Sequence, residues 1–290
     1  MSFTTDIKQE LCRITDGEEE ALAECLGMLL FAGQLSREQL RIQCEMTAVR
    51  RRIQTLFRQC FGVCPEEEDH VLFLCEKEAL DRIFLIYGYE KDPTLPLNLA
   101  VVEEEACKNA FLRGAFLVGG YVSAPEKGYH LELVTNRFHV SRQVSAFLNE
   151  MELPAGRITR RGISVLYYKD SSAIEDFLSA AGATGSAMDL MLKKVERDLR
   201  NQVNRKVNCE TANLTKTVGA AARQMAAIQA IREGGRFDTL SAPLKEAAEL
   251  RTRYPDLSLS ELCRKAETPI SRPGLNNRLR RLVELGEEPS

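Results

Sequence analysis

The sequence predicts an α+β fold: a pseudo-symmetric tandem αββαββα repeat over residues 22–186, joined to an all-α C-terminal domain. Three observations carry that reading. Residues 25–36 read CLGMLLFAGQLS and residues 112–123 read LRGAFLVGGYVS; each places a glycine, a second glycine six positions on, then Leu or Val, then Ser. The order of helical and strand patterns after each block is the same. Beyond residue 240 the strand patterning stops, and three short helical patterns with their own start signals follow.

Composition sets the class. Of the 290 residues, 44% are hydrophobic and 28% charged, as in a globular protein. The N-terminus, Met1 to Glu10, has no apolar signal-peptide core, and no apolar run is long enough for a membrane span, so the expectation is a cytoplasmic protein with no membrane partner. The nine cysteines are scattered and form no CxxC pair, which argues for reduced thiols rather than a disulfide framework or a zinc ribbon. Cys60 and Cys64, with His70 nearby, read as two core thiols. The net charge of −3 hides a split: residues 187–290 hold 19 basic and 14 acidic side chains, a net of +5, and residues 1–186 hold 20 and 28, a net of −8. An anionic partner for the C-terminal part is expected from that asymmetry.

The elements follow in order. Residues 1–21 form an N-terminal segment. In the first half, 22–90, a helix over 22–33 leads into a hairpin whose second strand is 39–46. A helix over 47–61 carries Ile53, Leu56, Phe57 and Cys60 at helical spacing. A second hairpin ends in the strand 70–75, and a helix over 78–87 stops at Gly88. In the second half, 105–183, the helix is 106–119 and the strand 129–134. The next helix, 138–151, shows Val140, Val144, Phe147 and Leu148 on one face. A hairpin over 157–168 turns at Arg160-Arg161-Gly162, and a closing helix, 173–181, stops at Gly182. Glycine costs about 1 kcal/mol inside a helix, so Gly27, Gly33, Gly114 and Gly120 are expected to let the two motif helices approach closely. A helical linker, 187–238, is expected as two helices, 187–207 and 213–232. Three asparagines interrupt them, with Asn208 and Asn213 as caps.

The glycine-spaced helices resemble those of the LAGLIDADG homing endonucleases, which pack at the centre of a saddle-shaped domain. In that family an acidic residue just before the last glycine of each motif binds the catalytic metal. Here the matching positions are Ala32 and Gly119, neither of which can ligate a cation. The resemblance therefore implies a non-enzymatic domain with no metal and no cofactor. A residual nuclease would have to use Glu103, Glu104 or Glu105, upstream of the second motif helix. His70, His130 and His139 belong to no nucleophile constellation. The hairpin run Glu66-Glu67-Glu68-Asp69 would repel phosphate, whereas Arg50-Arg51-Arg52 and Arg157, Arg160 and Arg161 could attract it or be solvated faces.

Residues 239–290 read as a helix-turn-helix domain. Ser241 with Pro243, Ser258 with Glu261, and Ser271 with Pro273 each mark a helix start. Leu275, Leu279, Leu282 and Val283 would be buried in the third helix, leaving Asn276, Asn277, Arg278, Arg280 and Arg281 on the opposite face. Asn matches adenine and Arg matches guanine in the major groove, so Ser271, Arg272, Asn276 and Asn277 are the candidate base readers. Arg280 and Arg281 are the candidate phosphate contacts. A trihelical protein-docking module is the alternative. The segments NRKVNCETANLTKT and ISRPGLNNRLRRLVEL resemble the linker and C-terminal signature of the WhiA family. With the LAGLIDADG-like repeat upstream, the resemblance spans nearly the whole chain. It implies a DNA-binding regulator of bacterial cell division, chromosome segregation or sporulation-associated transcription. Its implied partners are double-stranded DNA at the nucleoid and a division or transcription protein. The oligomeric state is left open.

Overall fold

The computed structural model describes residues 2–89, 95–125 and 128–287. The chain forms two compact units, Met1–Arg197 and Asp198–Ser290. The boundary expected at residue 90 lies outside the described residues.

In the first unit, helix α1 (Phe3–Leu11) precedes two copies of one pattern. The first copy is α2 (Glu18–Leu30), β1 (Gln34–Leu35), β2 (Leu40–Gln43), α3 (Thr47–Phe61), β3 (Glu66–Glu68), β4 (Val71–Leu74) and α4 (Lys77–Ile86). The second is α5 (Glu105–Gly119), β5 (Gly120–Val122), β6 (Leu131–Thr135), α6 (Phe138–Glu150), β7 (Gly156–Arg160), β8 (Ile163–Tyr168) and α7 (Ser171–Ala181). Both sheets are antiparallel, in the orders β1-β2-β4-β3 and β5-β6-β8-β7, so the repeat extends to topology. Strand alternation sets which face is covered: Leu40 and Ile42 point inward opposite Leu74 and Leu72, and Leu131 and Leu133 opposite Tyr168 and Leu166.

Helices α2 and α5 form the centre of this unit, and most of their side chains are fully buried, including Leu26, Met28, Leu29, Phe111, Leu112 and Phe116. Each such side chain contributes about 1.5–3 kcal/mol on removal from water. Their crossing depends on two of the expected glycines. A Cβ at Gly27 would lie 2.3 Å from the Phe111 carbonyl oxygen, and one at Gly114 would lie 2.0 Å from that of Glu24. The other two expectations are corrected. Gly33 follows α2 and has only the Arg41 carbonyl near its missing Cβ, at 3.7 Å. Gly120 opens β5, where a Cβ would strike its own neighbour Phe116. A third glycine with no room for a Cβ is Gly119, where one would meet Phe31 and the Val134 carbonyl.

The N-terminal segment holds α1 and the first residues of α2: Ser2 caps α1, and Ile7 and Leu11 are fully buried in the repeat core. Two further expectations change. The linker contains one helix rather than two: α8 runs unbroken over Thr184–Glu233. Asn204, Asn208 and Asn213 are exposed within it, so Asn208 and Asn213 are not caps. An exposed asparagine costs a helix only several tenths of a kcal/mol, too little to break a long one. Cys64, expected in the core, is exposed. No helix among the described residues is long and apolar enough to cross a membrane.

Candidate nucleic-acid interface

The second unit has its own core. Ile228 and Ile231 from the end of α8 pack with Ala247 and Ala248 of α9 (Ala242–Arg253), Leu262 of α10 (Leu259–Lys265) and Leu275, Leu279 and Leu282 of α11 (Arg272–Glu287). Ser241 precedes α9 without a side-chain cap hydrogen bond, and Pro243 lies in its first turn, whereas side-chain caps fix the starts of α10 and α11. Ser258 and Glu261 form a reciprocal capping box on α10, and those hydrogen bonds hold the Glu261 carboxyl below its ordinary pKa. The Ser271 hydroxyl accepts from the Gly274 amide at 3.3 Å and opens α11. The α9–α10 turn is organised by Arg251, which is 2% exposed. Its Nη1 donates to the carbonyls of Leu257 at 2.7 Å, Pro255 at 3.3 Å and Tyr254 at 3.5 Å.

With its leucines inward, α11 presents Arg272, Asn276, Asn277, Arg280 and Arg281 to solvent, with Ser271 at its N-terminal edge. Asn276 and Asn277 make no hydrogen bond among the described residues, so their amides are available for base edges. Arg280 and Arg281 reach Glu284 at 3.5 and 3.0 Å, ion pairs that are exposed and weak. Arg278 departs from the expectation: its Nη1 lies 3.2 Å from Glu246 and 3.5 Å from the Pro243 carbonyl, so it clamps α11 to α9. The surface is a short helix, a turn and a second helix with an Asn/Arg face, the geometry of a helix-turn-helix.

The repeat domain holds a charge cluster that the sequence reading missed. Glu24 is fully buried on α2. Arg52 of α3 binds both of its oxygens, at 2.5 and 2.6 Å, and Arg113 of α5 donates to it at 2.7 Å. Both arginines also bind Asp16, Arg52 at 2.7 Å. Burial opposes the charge on Glu24, but the hydrogen bond from Arg52 and the charge of Arg113 outweigh it and hold the carboxyl below its usual range. Asp16 goes the other way: burial, and then hydrogen bonding with Glu24, push it up to about 6. The only sequence signal was a glutamate in an otherwise apolar helix face; its partners lie 28 and 89 positions away. The Arg50-Arg51-Arg52 run is thereby divided. Arg50 is buried against Glu67 at 2.7 Å and the Cys44 and Glu45 carbonyls, Arg52 belongs to the cluster, and Arg51 alone is exposed. In the second hairpin, Arg157 lies over the Phe138 ring and Arg160 faces Glu132. Ala32 and Gly119 carry no side-chain oxygen. Among the described residues no group of three or more His, Cys, Asp or Glu side chains could hold a metal.

Fold and surface together define a two-part protein: a tandem LAGLIDADG-like domain and a helix-turn-helix domain. A family model described as "WhiA C-terminal HTH domain" matches residues 203–286, and one described as "WhiA LAGLIDADG-like domain" matches 108–200. The chain is 37% identical to a protein of Ruminiclostridium cellulolyticum named "Probable cell division protein WhiA", over 99% of this chain and 97% of that one. A protein of the same name from Thermoanaerobacter pseudethanolicus is 36% identical, over 99% and 98%. The solved full-length WhiA of Thermotoga maritima aligns with a TM-score of 0.61 and 26% identity, covering 99% of this chain and 98% of that one. The chain belongs to the WhiA family. The first of these matches begins inside α8, so the latter part of that helix goes with the helix-turn-helix, as it does in the core of the second unit.

Proposed function

We propose that this chain is a non-catalytic regulator of bacterial cell division that binds duplex DNA through α11. The observation that supports this most directly is the exposed face of Ser271, Arg272, Asn276, Asn277, Arg280 and Arg281 on a helix whose other face is locked by three buried leucines. The relatives' name supports the setting in division. Action on chromosome segregation or on sporulation-associated transcription, at the nucleoid in the cytoplasm, belongs to the same reading. Ala32 and Gly119 stand where a LAGLIDADG nuclease carries its acidic metal ligands, so the repeat domain acts without cleavage. A second role for that domain, as a platform for a division or transcription protein, is favoured by the acidic β3–β4 hairpin, Glu66 to Asp69, which is unsuited to phosphate.

Fluorescence anisotropy of the full chain on genomic duplex fragments at two salt concentrations tests the reading. Replacing Asn276 and Asn277 with Ala is expected to lose about 1–3 kcal/mol per base contact and to relax sequence preference. Arg280→Ala with Arg281→Ala is expected to weaken all sequences alike and to reduce the salt slope by about one per phosphate contact. Unchanged binding in both variants would remove α11 from the interface.

A further inference from the structure

A cleft of about 510 Å³ lies between the α1–α2 connector and one face of α3. That volume falls within the range of about 300–1,000 Å³ typical of small-molecule sites. Its floor is the charge cluster: Arg52 and Asp16 line it, and their charges are satisfied by each other and by Glu24 and Arg113. Its rim is different. Arg13 on the connector and Arg51 on α3 both line the cleft, both are exposed, and neither has an acidic partner among the described residues. Thr15, Thr55, Gln9 and Gln59 add hydroxyls and amides around them. Asp16 is the only acid in the lining, so the rim carries two uncompensated positive charges in a stretch of chain whose net charge is −8. Two guanidinium groups from different elements, with hydroxyl donors in the same lining, match the charge and hydrogen-bonding needs of a phosphate dianion.

We propose that this cleft binds a small phosphorylated organic anion, of mononucleotide size or smaller, held by Arg13 and Arg51. The neighbouring arginines of the same run show what is unusual here. Arg50 and Arg52 are consumed by carboxylates and carbonyls of the fold, and Arg51 is left to a ligand. The recess favours a small molecule over a duplex backbone, which needs a run of cations along an open surface.

Isothermal titration of the full chain with two probes, inorganic pyrophosphate and adenosine 5′-monophosphate, tests the proposal. The wild-type chain is expected to bind at least one of them saturably. Arg13→Glu with Arg51→Glu, both at exposed positions, is expected to weaken that binding by about tenfold or more per arginine. Arg51→Gln is the milder variant and is expected to show a smaller loss in the same direction. Arg157→Glu with Arg161→Glu, outside the cleft, should leave it unchanged. The proposal is overturned if neither probe saturates at millimolar concentration, or if the two double variants weaken binding equally, which would mean nonspecific attraction. It is also overturned if Arg13→Glu with Arg51→Glu lowers duplex affinity while neither probe binds, since the cleft would then be a DNA contact. DNA binding through α11 is read separately, so either result can fail alone.

Discussion

At the scale of single residues, the crossing of α2 and α5 is decided by atoms that are missing. A methyl group at Gly114 has a backbone carbonyl 2.0 Å away, and that carbonyl belongs to Glu24, whose side chain anchors the charge cluster. Neither can shift without the other. Gly114→Ala is therefore expected to destabilise the chain by about 1–3 kcal/mol or more, whereas Gly33→Ala, with 3.7 Å of space, should stay within roughly 0.5 kcal/mol. Denaturant midpoints of the two variants check this; equal losses would contradict the seam described for Gly27 and Gly114. Asp16 gives a pH signature with a definite sign. Its folded pKa of about 6 lies above its ordinary value of 3.8, so between those values the folded chain binds the extra proton. Stability from this group is thus present in acid and is lost as pH rises towards and through 6. Melting temperature should rise between pH 7 and pH 5 more in the wild type than in Asp16→Asn, and coincident profiles would show that Asp16 is not the proton site.

Among the elements, α8 separates what local pattern reveals from what it does not. Helix α3 was legible to the residue, because Ile53, Leu56 and Phe57 repeat at helical spacing and Gly62 ends it in the left-handed region. Strands β2, β4 and β6 were legible because more and less buried positions alternate along them. The asparagines of α8 misled, since Asn is favoured at caps, yet its cost inside a helix is only several tenths of a kcal/mol. Helix α1 went unassigned although Phe3, Ile7 and Leu11 share one face, a spacing too short to stand out without its partner core. Arg278 and Arg52 were legible as cations but not as clamps, because their partners are 32 and 28 positions away. The continuous helix has a measurable consequence. Replacing Asn204, Asn208 and Asn213 together with Ala should leave thermal stability unchanged or slightly raised, by a few tenths of a kcal/mol per site, and helicity should not fall. Were Asn208 and Asn213 caps, the same variant would lose about 1 kcal/mol at each. Circular dichroism melts distinguish the two.

Over the whole molecule, charge is partitioned: the part that includes the repeat is net −8, and the part with α8 to α11 is net +5. Two consequences are possible for a polyanion partner, and they differ in range. If duplex DNA is held by α11 alone, the acidic hairpin acts on it only through solvent, and at physiological salt such an effect is screened beyond about 8 Å. If the duplex also runs over the first sheet, Glu66 and Glu68 face phosphate directly and oppose binding. Neutralising Glu66 and Glu68 to Gln separates these cases without disturbing the fold, because both are exposed. Glu67 is left intact because it holds the buried Arg50 at 2.7 Å. The expected outcome is a duplex affinity within about twofold of wild type at ~0.15 M salt. A larger gain at low salt is also expected, since screening weakens there and the long-range repulsion returns. A tenfold gain at physiological salt would instead place phosphate against the β3–β4 hairpin. The tandem domain would then share the work of α11 rather than serve as a platform beside it.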